Sequence, residues 1–363
     1  QTLTLGGGLA NCSATPDTTA TVLSGAGGAA LPVLRINTTG DAIVRLHDLQ
    51  ITGGDTGAGG GGGGILYLGG NTSRLVIERV TVSGNSADNG GGIYALGNGS
   101  RAHLIVGATT LVASNLARVS GGGIFLNNAD LEMEGPGSAI ANNTADDFGG
   151  GLRAIGPSDI LVTSGGIGTL GTIFGNEARI GGGIAIQGSS STVGYVILDL
   201  VTVDPQTPVR VRGNVARELG GGIHARPEFA SQISRTYVTL EGVSIEENAA
   251  PSGAAVQLGS ASSVFYTVGG DLKMIPSAAC GANDDCNRVV DNEAQTIGGV
   301  PTTGGILVAG DAARIDLQGT RISGNVGGPP VYSDDPFSED PFAVKLYQVV
   351  IADNVVDGEA LVR

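Results

Sequence analysis

The sequence predicts an all-β chain: a right-handed parallel β-helix, a solenoid of about ten coils with three short strands per coil. Two interleaved motifs, and the alternation between them, carry that prediction. The first motif is Gly-Gly-Gly followed by an aliphatic residue. It occurs at Gly62–Ile65, Gly90–Ile93, Gly121–Ile124, Gly149–Leu152, Gly181–Ile184 and Gly220–Ile223, with looser copies ending at Val256 and Ile306. The second places an aliphatic residue three positions before an asparagine, ending at Asn85, Asn115, Asn143, Asn176, Asn214, Asn248, Asn292, Asn325 and Asn354. Successive asparagines lie 28 to 44 residues apart, mostly near 30, which fits one three-stranded coil with occasional loop insertions. In Gly92-Ile93-Tyr94-Ala95 and Gly123-Ile124-Phe125-Leu126 the first and third side chains share a face, as strands require.

Stacking explains each recurrent residue. Aliphatic columns fill the interior, each buried side chain worth roughly 1.5–3 kcal/mol. Glycine permits positive φ and close approach between neighbouring coils. The asparagine is expected in a left-handed turn, bonded to its copies above and below, at about 1 kcal/mol net per bond. Helical repeats fail because each mid-unit glycine would cost roughly 1 kcal/mol. A right-handed winding is expected for parallel strands joined by crossovers. We therefore read one domain over 1–363: N-terminal coils in 1–50, regular coils in 51–326, and C-terminal coils with an acidic insertion in 327–363.

Composition agrees. Of 363 residues 64 are glycine, more than twice the usual share, yet 41% are apolar and no collagen period runs through the chain. The formal net charge is −15 and the only lysines are Lys273 and Lys345, so no basic stripe exists for nucleic acid or an anionic membrane surface. No apolar stretch reaches the roughly 20 residues of a membrane span. The opening Gln1, with no methionine, reads as a processed chain. Acidity and processing together point to secretion or surface display. Cys280 and Cys286 bracket a short acidic loop and could pair in an oxidising compartment, which leaves Cys12 over.

The interleaved tetrapeptides resemble the repeats of the polymorphic outer-membrane protein family from about Ile51 to Asn354. That resemblance implies a right-handed parallel β-helix displayed on a bacterial surface. The chain departs by using Gly-Gly-Gly, and by placing Val or Ile where the family prefers Phe.

Parallel β-helices also carry polysaccharide lyases and hydrolases, so carboxylate pairs need weighing. Asp146 and Asp147 lie in the turn before Gly149, where other coils carry Asp88, Arg118 or Glu218, and a solvated turn accounts for them. His224 follows the aliphatic anchor Ile223 and reads as an exposed strand residue; in an enzyme it would join Asp146 and Asp147. His47 and His103 show no metal-ligand spacing. Asp334, Asp335, Glu339 and Asp340 form an acidic excursion with the oxygen ligands calcium favours. No other cofactor is implied. In register, Tyr94, Phe125 and Arg153 would form an outward stripe able to hold a sugar or a protein, the alternative being plain cross-strand stacking.

The terminal segments Gln1–Leu5 and Glu359–Arg363 read as uncapped coil edges, which invite end-to-end association into a filament. The functional expectation is a non-enzymatic extracellular structural or adhesive protein that contacts itself, surface glycans or proteins. The alternative is a polysaccharide-binding or polysaccharide-degrading enzyme.

Overall fold

The computed structural model describes residues 2–8, 20–25, 30–70, 72–163, 166, 171–188, 195–226, 236–258, 271–278, 287–294, 303–309, 314–334 and 344–356, with backbone alone at 307–309, 332–334 and 356. These residues form a right-handed parallel β-helix with no helix among them. Its strands belong to three sheets. A 10-stranded anchor sheet runs from Leu34–Asn37 to Val331–Asp334, and a 9-stranded short sheet from Ser86–Asn89 to Val355–Val356. A 20-stranded sheet holds the remainder. Among the described residues, nine coils place a strand in all three sheets, slightly fewer than the repeats suggested.

The 20-stranded sheet folds along a line, so most coils cross it twice. In the strands Ile43–Thr52 and Arg74–Ser83 the fold line falls at Asp48 and Arg79, with φ of 56° and 52°. In the following coil the strand breaks there into Ala102–Val106 and Leu111–Ala113.

Register places like on like. The anchor residues Ile65, Ile93, Ile124, Leu152, Ile184, Ile223 and Val256 stack in one column, all fully buried. The next inward column reads Tyr67, Ala95, Leu126, Ala154, Ile186, Ala225 and Leu258, alternating large with small. That alternation fills the interior without forcing rotamers. The Tyr67 hydroxyl, wholly buried, is satisfied by Ser73 Oγ at 3.1 Å.

The asparagines form one continuous ladder. Each Nδ2 donates to the next Oδ1 at 2.9–3.1 Å, from Asn85 through Asn115, Asn143, Asn176, Asn214, Asn248, Asn292 and Asn325 to Asn354. The same Oδ1 also accepts the preceding asparagine's backbone N–H, as Asn176 Oδ1 does from Asn143 at 3.0 Å. The second Nδ2 hydrogen goes to the carbonyl of the aliphatic residue one coil back, as from Asn176 to Ile140 at 3.0 Å. Both lone pairs and both hydrogens are thus used. One expectation needs correcting. The left-handed residue is the one before the asparagine (Gly84, Ser114, Asn142, Gly175, Gly213, Glu247, Asp291, Gly324 and Asp353), and the asparagines themselves keep negative φ. That bend delivers the following amide to the stack. The first described rung has no side chain: Gly54 donates its N–H to Asn85 Oδ1 at 3.0 Å.

The glycine triplets divide their work. The first, as at Gly121 (φ 68°), turns the chain from the short sheet into the anchor sheet. The third abuts the next coil: a Cβ on Gly123 would sit 2.6 Å from Gly151 O and 2.8 Å from Asn143 Nδ2. No side chain fits there without moving backbone.

Candidate functional site

Among the described residues, the acidic and histidine candidates singled out from sequence do not assemble into a site. Asp146 is exposed, and Asp147 pairs with Arg179, which also bonds Glu218. No hydrogen bond or ion pair among the described residues joins Asp146, Asp147 and His224. His224, expected at the surface, is fully buried. The physical reason is the tight turn at the first glycine of the triplet: a Cβ on Gly220 would lie 2.7 Å from His224 Cβ. That turn lays the end of the short-sheet strand over the residue after the anchor.

The same geometry overturns the outward stripe. Tyr94, Phe125 and Arg153 do stack in register, and the Tyr94 and Phe125 rings meet edge to face at 5.0 Å. Yet Phe125 and Arg153 are only 5% and 4% exposed and Tyr94 is half-buried, so the column is not an open outer stripe. Tyr94 packs against Gly61, and Arg153 lies under the Phe148 ring at 4.5 Å. Arg179 and Arg226 contact the same ring at 5.4 and 4.9 Å. Burial, then the charge of Arg226, pushes the Arg153 guanidinium down to about 9. Its Nη2 donates to Gln187 Oε1, while Nη1 is buried without a hydrogen-bond partner.

Cys12, Cys280, Cys286, Asp335, Glu339 and Asp340 lie outside the described residues, and Asp334 is described only as backbone ending Val331–Asp334. Among the described residues no group of three or more His, Cys, Asp or Glu is placed to hold a metal ion.

The structure instead assembles a site that sequence reasoning missed, on the outer face of the 20-stranded sheet. Arg74, His103, Asp130 and Asp159 occupy one outward column on successive coils: Arg74 pairs with His103, His103 with Asp130, and Leu131 with Ile160 one position on. They border a depression of about 210 Å³, with Ile105 and Glu132 beside them. His103 Nδ1 lies 3.2 Å from Asp130 Oδ2. One Arg101 nitrogen touches both carboxylates, Asp130 at 3.1 Å and Asp159 at 2.6 Å. The Asp159 amide donates to Asp130 Oδ1 at 2.9 Å, fixing that carboxylate. Burial pushes the Asp130 carboxyl above its ordinary value, against the opposing Asp159 amide and the Arg101 and His103 charges.

Chemically the depression offers carboxylate acceptors, a guanidinium donor and an imidazole. With Nδ1 turned to Asp130, His103 Nε2 has no bonding partner among the described residues. Further along the same face the Tyr195 and Tyr237 rings lie 5.6 Å apart at 55°. Tyr237 continues the column of Asp159 through Ile197.

No family model, curated protein or solved structure matches the chain. The functional reading therefore rests on this geometry.

Proposed function

We propose that this chain is a non-enzymatic structural or adhesive rod, secreted or displayed at a cell surface. What supports the reading is how the coil spends its polar groups. The amide ladder from Gly54 to Asn354 is hydrogen-bonded at every rung, and it stiffens a stack rather than presenting chemistry. At about 4.8 Å per coil, nine coils make a rod roughly 45 Å long. End-to-end association belongs to the same proposal. It is favoured by inward-register apolar side chains left exposed on the outermost described strands, Leu3 at 65% and Leu346 at 43%. The resemblance to polymorphic outer-membrane proteins fits such display.

The rod is tested by incubating the chain with neutral and acidic polysaccharides and assaying new reducing ends and unsaturated products. The expected result is no product above the background of buffer alone. Product formed at a rate proportional to protein would overturn the non-enzymatic reading. Light scattering at rising concentration tests association, which a constant monomer mass would exclude.

A further inference from the structure

We propose that the outer face of the 20-stranded sheet, from Arg74 to Tyr237, binds a linear neutral glycan laid along the rod axis. The inference extends the adhesive part of the proposed function and names the ligand chemistry.

Three observations carry it. The first is the depression itself, in which polar groups of three kinds converge. The exposed Asp159 carboxylate and the remaining lone pair of Asp130 Oδ2 accept from sugar hydroxyls, Arg74 donates, and His103 Nε2 faces a further hydroxyl. These groups are preorganised: Asp130 is gripped by Arg101, His103 and the Asp159 amide, so ordering it on binding costs little. The second is the aromatic pair. Tyr195, 45% exposed, and Tyr237 stand on the same face beyond Asp159, and a pyranose ring packs its C–H face on such rings. The third is spacing. Arg74, His103, Asp130, Asp159, Ile197 and Tyr237 occupy successive coils. At about 4.8 Å per coil this column spans roughly 24 Å, the length of four or five sugars in an extended chain.

Charge selects neutral over acidic glycans. Arg74 and Arg101 stand against Asp130, Asp159 and Glu132, and Arg101 is already shared between two carboxylates. A uronate would meet uncompensated negative charge, on a chain whose formal net charge is −15.

The test is titration calorimetry of the full chain with linear hexasaccharides. The neutral probes are β-1,4-glucan, β-1,3-glucan, β-1,4-mannan and β-1,4-xylan; the acidic ones are oligogalacturonate and oligomannuronate. At least one neutral hexasaccharide is expected to bind saturably, and at least tenfold more tightly than its trisaccharide. Asp159→Ala and Tyr237→Ala should each weaken it tenfold or more, while Glu177→Gln on the short sheet leaves it unchanged. Unaltered circular dichroism and melting of the variants separates lost contacts from lost fold. Binding of no neutral probe overturns the proposal, as does preference for the acidic ones or indifference to both alanine variants. Cleavage of a bound glycan would overturn the non-enzymatic rod and leave this site standing; absence of both binding and cleavage would do the reverse.

Discussion

Removing one rung from the middle of the amide ladder should destabilise the protein far more than one hydrogen bond. In Asn176→Ala the perturbation is defined by four bonds. Asn176 Oδ1 accepts from Asn143 N at 3.0 Å and from Asn143 Nδ2 at 3.1 Å, and its Nδ2 donates to Ile140 O and Asn214 Oδ1, both at 3.0 Å. Asn176 is fully buried, so water does not simply replace the amide. Asn143 is left with two orphaned donors, its backbone N–H and one Nδ2 hydrogen, each worth about 1–3 kcal/mol of unrepaid desolvation. Asn214 Oδ1 keeps the Asn176 backbone N–H at 3.0 Å and suffers less. The expected loss is about 3–5 kcal/mol. A long repeat need not unfold in one step, so the assay is a denaturant titration combined with amide hydrogen exchange. Protection should fall first at Asn143 and in neighbouring coils. Asn354→Ala, at the half-buried last described rung, should cost about 1 kcal/mol. Asn176→Asp provides a sign check. It puts a carboxylate next to Asn214 Oδ1, so the variant should be worst at neutral pH and recover on acidification, when the acid can donate. A loss below about 1 kcal/mol for Asn176→Ala, or equal losses at Asn176 and Asn354, would refute the ladder's energetic role.

Gly123→Ala drives a Cβ into Gly151 O and Asn143 Nδ2 and should lower stability by about 1–3 kcal/mol, whereas Gly40→Ala (φ 60°, nothing within 4 Å) should cost about 1 kcal/mol; melting midpoints compare them. Asp48 is held down at about 2, chiefly by the Arg79 side-chain hydrogen bond. A carboxyl depressed on folding stabilises above its ordinary value near 3.8 and loses that contribution as pH falls toward 2, so the stability gap between wild type and Arg79→Met should close over that window. The pair is partly exposed, which keeps the gap below about 1 kcal/mol. Asp130 runs the other way: its carboxyl is raised by burial, so folding favours the protonated form and Asp130→Asn should gain on wild type as pH rises above the ordinary carboxyl range, measured by chemical denaturation at several pH values. Arg153→Met removes a buried charge with an unbonded Nη1 and should leave stability unchanged or raise it by about 1–2 kcal/mol; a loss above 2 kcal/mol would show that the Gln187 and Phe148 contacts outweigh desolvation.

The interior of this fold is legible because its physics repeats. An inward residue meets its own copy one coil away, so a residue that satisfies the stack once satisfies it every time, and Asn176 bonds Asn214 as Asn143 bonds Asn176. The rung at Gly54 escaped the motif because a backbone N–H does the donating there and no asparagine marks it. The burial of His224 and Arg153 was not legible for a different reason. Alternation along Ile223-His224-Ala225 says only that His224 faces away from the main core. Whether that side is solvent depends on the turn at Gly220, which folds the short sheet over it.

The depression was invisible for a third reason, and that reason says what kind of feature it is. Arg74, His103, Asp130 and Asp159 align only in space, because the turns between the anchors Ile65, Ile93, Ile124 and Leu152 and these positions differ in length. Neither motif can therefore serve as a ruler for them. That column changes from Arg74 to His103 to Asp130 and Asp159, whereas the ladder and anchor columns are runs of near-identical residues. A stack needs like on like, and a solvated face needs only polar residues that tolerate one another. Neither requirement buries a carboxylate. Asp130 is 8% exposed, held by a guanidinium, an imidazole and an amide, and raised by desolvation, an arrangement that lowers stability at neutral pH. Packing alone gives no reason for that sacrifice; the proposed glycan site would supply one.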